Sequence, residues 1–106
     1  MSDLISIDDF DKVVIKIGQE KEAEKIEKSD KLLKLQVDIG DETRQIVAGL
    51  AKQYAPEELI DRKVAVVVNL QPAKLFGTLS EGMILATGES AALLSPDECE
   101  VGERIQ

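Results

Sequence analysis

Leu33, Leu35, Val37 and Ile39 fall on every second position, with Lys34, Gln36 and Asp38 between them. That is the period of a strand with one buried face. The same period starts earlier, at Val13, Ile15 and Ile17, and Gly18 then predicts a bulge or a sharp bend. Residues 20–27 are charged, with Ala23 and Ile26 as apolar positions; they continue that strand or form a short helix, since Glu, Lys and Ala favour helix. Before the first strand, Ser6 followed by Ile7, Asp8, Asp9 and Phe10 predicts a helix start, with a hydroxyl to cap free amides and acids at the positive end of the dipole. Ser29 and Asp30 form a turn into the second strand. Gly40, Asp41 and Glu42 form a hairpin turn into a third over residues 43–49. Pro56, with Glu57 and Glu58 behind it, opens a short helix over residues 56–61. Residues 63–70 are a fourth strand, whose continuous Val64, Ala65, Val66, Val67, Val68 run implies burial on both faces. Residues 83–87 are a fifth.

Three strands, a short helix, two strands and a tail is the element order of an OB-fold, an all-β, five-stranded Greek-key barrel with its helix between strands three and four. At 106 residues the chain reads as one such domain, residues 1–106, with no repeat, low-complexity segment or linker; it is a whole protein or an excised domain. Five strands close a small barrel. Residues 88–106 are then surplus, yet include Ala91, Ala92, Leu93, Leu94, Val101 and Ile105. Apolar residues outside a closed core need a cover. Either they cap their own barrel or they form a dimerisation extension that pairs two copies.

Composition narrows the chemistry. The chain has no histidine, which removes the commonest general base and metal ligand, and Cys99 is the only cysteine, so neither an internal disulfide nor a zinc site is expected. Cys99 sits between Glu98 and Glu100, a setting unsuited to a reactive thiolate. The seven glycines are scattered and build no nucleotide-binding loop. The acids lie in turn-like and charged segments rather than at the ends of apolar strands. No catalytic residue, metal or cofactor is therefore assigned, and a stand-alone enzyme is not expected. No apolar run approaches a membrane helix and the first ten residues do not read as a signal peptide, so a cytoplasmic location is expected.

A net charge of −8 argues against a polyanionic partner, but the charge is uneven. Residues 12–34 carry seven lysines and five acids, a net +2, which leaves −10 for the remainder. Mixed charge of this kind also suits a plain solvated face. Phe10, Tyr54 and Phe76 are the only aromatics, and Phe10 and Phe76 read as packing residues in apolar settings. Capture of single strands by stacking has little to work with. Folded RNA is held through phosphates, 2′-hydroxyls and shape. Lys31, Lys34, Arg44, Lys52, Asn69, Lys74 and Ser80 supply groups suited to that.

Two blocks carry a resemblance. One is Ser29-Asp30-Lys31-Leu32-Leu33; the other comprises Asn69-Leu70, Pro72-Ala73-Lys74 and Ser80-x-Gly82-Met83, in the run NLQPAKLFGTLSEGMIL. With them the chain resembles, over nearly its whole length, the tRNA-binding domain found at the C-terminus of many methionyl-tRNA synthetases, as free-standing dimers, and in endothelial-monocyte-activating-polypeptide-like cofactors of eukaryotic synthetases. The resemblance implies docking of the outer corner of tRNA with little sequence preference, in aid of a synthetase catalytic domain. It implies Lys31, Asn69, Lys74, Ser80 and Met83 as tRNA-binding residues, and a homodimer through the segment after the barrel. Two departures lower the basic charge: Lys16-Ile17-Gly18-Gln19-Glu20 replaces an arginine and a later basic residue common in relatives, and Gln71 replaces another. Two other readings share parts of the pattern: an export-type peptide-binding chaperone, and a pure dimerisation domain of a synthetase.

Overall fold

The computed structural model describes residues 3–106. Its elements are helix α1 (Ile7–Phe10), strands β1 (Ile15–Lys25), β2 (Leu33–Asp38) and β3 (Thr43–Ala48), a 3-10 turn (Pro56–Glu58), and strands β4 (Lys63–Val67), β5 (Ala73–Leu75), β6 (Thr78–Ser80), β7 (Met83–Ile84) and β8 (Arg104–Ile105). The main sheet runs β3-β2-β1-β4-β7, antiparallel throughout, and curls into a nearly closed barrel. This is the expected OB-fold.

β1 takes eleven residues because its two halves serve different neighbours. Residues 15–19 pair with β4 and residues 19–25 pair with β2. The charged stretch is therefore strand and not helix: its backbone is committed to a ladder with β2, whose Leu33, Leu35 and Val37 need a covered face. The bulge falls between Glu20 and Glu22 rather than at Gly18. Gly18 has another reason to lack a side chain. A Cβ there would lie 2.7 Å from Val37 Cγ1 and 2.9 Å from Val66 Cγ2, so the strands on either side pack over it.

The barrel closes where β3 meets the chain between β6 and β7. Glu81 N donates to Gln45 O at 2.7 Å, Val47 N donates to Ser80 Oγ at 3.0 Å, and Gln45 Nε2 donates to Leu79 O at 2.8 Å. Gly82 allows the approach, since a Cβ would sit 3.0 Å from Val67 O. Inside lie Leu33, Leu35, Val37, Ile39, Ile46, Leu50, Leu59, Val64, Val66, Val68 and Ile84.

Three expected elements are shorter. The helix at Pro56 is one 3-10 turn; Leu59 plugs into the core and Asp61 adopts φ +67°, which ends it. β4 stops at Val67, and Asn69 and Leu70 are exposed. β7 has two residues. One element is additional: the β5–β6 hairpin, which projects from the segment read as a loop. Part of the tail finds cover within its own chain, while Leu94 and Ile105 stay exposed. Leu93 bridges to Ala86, its amide donates to Tyr54 Oη at 3.0 Å, and Ala91 and Leu93 pack on the core. Lys63 Nζ donates to Cys99 O at 2.6 Å, and β8 pairs with the stretch of β1 that β2 does not reach.

Candidate functional site

Two turns of opposite origin meet on one side of the barrel. The first joins β1 to β2. Ser29 folds it: its hydroxyl accepts from the amides of Lys31 (3.3 Å) and Leu32 (3.1 Å), its own amide donates to Ile26 O, and Lys28 turns the corner with φ +73°. Lys28 and Lys31 are left outside. The second is the β5–β6 hairpin, which lies between the last two barrel strands. Its two-residue turn is Phe76-Gly77, with φ +51° and +75°, so both residues are left-handed, as a tight hairpin that follows the strand twist requires. Lys74 sits one residue before Leu75 on the exposed β5.

The two turns face each other across an open groove of about 470 Å³, lined by Lys28, Lys31, Lys74, Leu75 and Phe76 among others. In OB-folds the loops joining strands one and two, and strands four and five, are where oligomers bind. Lys31 also lines a second depression of about 310 Å³, with Gly49, Lys52 and Gln53. That one shares Gly49, Gly88 and Ala91 with a third, of about 250 Å³, which Met83 lines. The three form one track from the hairpin tip to Met83.

Charge along the track is set by which lysines are already engaged. Lys34 is held by Glu24 at 2.7 Å. Arg44 donates to Val68 O and Glu81 O and meets Glu42, so it braces the barrel end. Lys52 lies 4.0 Å from Asp30. Among the described residues, the ammonium groups of Lys28, Lys31 and Lys74 have no ion-pair or hydrogen-bond partner. They are the free cations of the groove.

Of the residues the resemblance pointed to, Lys31, Lys74 and Met83 lie on the track, and Met83 is half-exposed. Asn69 and Ser80 do not line it. Asn69 ties the N-terminal segment down: its Oδ1 accepts from Val14 N (2.8 Å) and its Nδ2 donates to Lys12 O (2.6 Å). Ser80 is buried, accepts from Val47 N and donates to Gly82 O at 3.1 Å, so it anchors the root of the hairpin. Two groove residues are not evident from the sequence. Lys28 is one of seven similar lysines, distinguished only by its turn. Phe76 reads as packing, yet it is 67% exposed at the hairpin tip. The signal for it is the following Gly77, since a residue at a two-residue turn cannot point inward.

Among the described residues, Glu20 is displaced from its ordinary range: burial pushes its carboxyl up to about 7, against the pull of Arg62. It lies within β1, away from the track, and neither oxygen has a hydrogen-bond partner. Among the described residues no cluster of His, Cys, Asp or Glu could hold a metal ion, and no helix is long and apolar enough to cross a membrane. What the track offers is free ammonium groups and an aromatic ring on backbone held in fixed turns, with Asp30 and Glu89 as its lining acids.

Comparison with known proteins agrees. A model of the putative tRNA binding domain family matches residues 15–104. The whole chain is 99% identical to a segment of the methionine–tRNA ligase of Methanobrevibacter smithii, and spans 16% of that protein's length. Among solved structures, the MetRS-related protein of Pyrococcus horikoshii superposes with a TM-score of 0.88 at 44% identity, over 98% of this chain and 99% of that one. The chaperone protein CsaA of Picrophilus torridus superposes with a TM-score of 0.89 at 32% identity, over 97% and 100%.

Proposed function

Since this chain belongs to the putative tRNA binding domain family, we propose that it is a non-catalytic module that docks folded tRNA, with little sequence preference, in aid of a methionyl-tRNA synthetase. The observation that carries the reading is the set of three unpartnered lysines, Lys28, Lys31 and Lys74, on the two turns flanking the groove. Held on rigid turns, they reach for phosphates of a folded RNA without base readout. The segmental match to a methionine–tRNA ligase supports the partnership: a tethered domain raises the local concentration of tRNA at the catalytic domain. Such a module works in the cytoplasm, where tRNA is charged.

A titration of bulk tRNA against the parent chain and Lys31→Glu/Lys74→Glu tests this. The double variant is expected to bind at least about tenfold more weakly at moderate salt. Its slope of log affinity against log salt should be shallower by about 0.7 to 0.9 for each phosphate that is no longer neutralised. Exposed charge reversals cost less than about 0.5 kcal/mol, so the melting temperature is expected to hold. Equal affinity and equal slope would remove the groove from consideration.

The peptide-chaperone reading keeps two supports, the superposition on CsaA and the exposed Leu75, Phe76 and Leu79 on the hairpin. Fold alone does not separate the two; the higher identity to the MetRS-related protein and the free lysines favour RNA. Retained capture of an unfolded peptide with no tRNA binding would reverse that order. Homodimer formation is a further part of the proposal. Leu4, Ile5, Ile7, Phe10 and Val13 of the N-terminal segment are exposed, and Phe10 and Val13 line a depression with Ile105 of the tail. The surface offered to a second copy thus joins both chain ends rather than the tail alone, and light scattering of the intact chain measures it.

A further inference from the structure

We propose that Phe76 stacks on one unpaired base of the bound RNA, while Lys28, Lys31 and Lys74 hold the phosphates beside it. The inference rests on the tRNA-binding reading and adds a contact that phosphate attraction does not provide. The ring has no role in holding the fold. It is 67% exposed, outside the core, on a left-handed residue where Gly, Asn or Asp would be unstrained. An exposed aromatic at a backbone position that disfavours it is a cost the barrel does not need.

Its setting also selects an occupant. The hairpin is short and paired from Ala73–Ser80 to Leu75–Thr78, and its root is fixed to β3 through Ser80, so the ring is held rather than trailing. Three free ammonium groups border the same groove, whose volume of about 470 Å³ lies in the range of small-ligand clefts, about 300 to 1,000 Å³. An apolar plane edged by cations matches a nucleobase carrying phosphates on both sides. It matches an apolar peptide side chain less well, because the lysines would then be left desolvated and unpaired.

The number of rings limits stacking to a single base. Tyr54 is occupied, with the Arg62 guanidinium 5.1 Å from its ring centre and its hydroxyl bonded to Leu93 N. Phe10 lies in a separate depression with Arg104 and Ile105. A tracker of single strands needs successive platforms. One ring beside a cationic groove instead suits a folded RNA that presents an extruded base.

The test uses the intact chain with bulk tRNA and with a blunt RNA duplex that has no unpaired base. Phe76→Ala and Phe76→Leu are expected to weaken tRNA binding about 5- to 100-fold, with the salt slope unchanged and the duplex affinity unchanged. Phe76→Trp is expected to retain affinity. The chain has no tryptophan, so emission from that single indole should be quenched as tRNA saturates it. Parent-like tRNA binding by the Ala and Leu variants overturns the inference, as does equal loss on the blunt duplex or an indole emission that tRNA leaves unmoved. If the parent itself binds no tRNA, the functional reading fails and this contact with it; a parent that binds while Phe76→Ala is unaffected sinks the stacking contact alone.

Discussion

Glu20 is expected to make the stability of this domain fall as pH rises from about 4.5 to 7. Its carboxyl is fully buried in β1, with no hydrogen-bond partner for either oxygen. Burial penalises the charged form and raises the pKa from 4.5 to about 7, with Arg62 pulling the other way. The unfolded chain ionises near 4.5. Between about pH 4.5 and 7 the native state therefore holds a proton that the unfolded state has lost, and unfolding free energy drops with pH across that window. Below the window the stability is fully present; above it the loss is complete. A displacement of that size corresponds to about 3 kcal/mol, a large share of a stability of order 5 to 15 kcal/mol. With no histidine in the chain, no imidazole titration overlies it.

Urea denaturation at pH 5, 6, 7 and 8 isolates the effect when the parent is compared with Glu20→Gln and Glu20→Met. Both variants remove the titration. Methionine also removes the unpartnered oxygens at similar length, whereas glutamine leaves a buried amide costing about 1 to 3 kcal/mol. The Met variant is expected to exceed the parent by up to about 3 kcal/mol at pH 8, with the advantage shrinking towards pH 5. The Gln variant should show the same change of difference with pH from a lower starting point. Profiles of parent and variants that run parallel from pH 5 to 8 would refute the reasoning, because they would mean that Glu20 is ionised in the native state throughout.

Two further outcomes follow from the packing. Ser80→Ala leaves the Val47 amide without its acceptor at the barrel seam, and should cost about 1 to 3 kcal/mol by urea midpoint; a midpoint equal to the parent's would mean that the seam does not depend on that hydroxyl. Gly18→Ala drives a methyl to 2.7 Å from Val37 Cγ1 and should cost about 1 to 3 kcal/mol by the same assay, with no effect expected if β1 and β2 can simply part.

The barrel is legible in the sequence where burial is one-sided. In β2 every second residue is buried, and the pattern needs no context to be read. It is least legible where a strand's identity comes from its neighbours. The second half of β1, Lys21 to Lys25, has helix-favouring residues, and only the ladder with β2 makes it extended. The bulge at Glu20 to Glu22 has no glycine to mark it, and Gly18, which looks like the marker, serves close packing instead. β5 and β6 are three residues each, too short for alternation to rise above a loop. Glu20 itself runs against the expectation that acids avoid apolar strands, and nothing in its local sequence separates it from Glu22 and Glu24, which are exposed.

The proposed binding track shows the same division, and on that proposal local charge is what would let a chain at −8 hold an anionic polymer. Which lysines are free is a tertiary property: Lys34 and Lys28 look alike in sequence, but Glu24 reaches only the first across the β1–β2 ladder. Once the engaged cations are set aside, the groove keeps three free ammonium groups, with Asp30 as its one lining acid. At physiological ionic strength charges are screened beyond about 8 Å. The molecule measures 41 × 32 × 24 Å, so acids on its far side act weakly on a phosphate seated at the groove. Local charge, not net charge, decides. Three cations nonetheless account for a salt slope of only about −2 to −3, which is modest for a nucleic-acid binder. On the proposed reading, so few cations leave room for a contribution that salt does not screen, and the stacking proposed for Phe76, exposed in the same groove, would supply it.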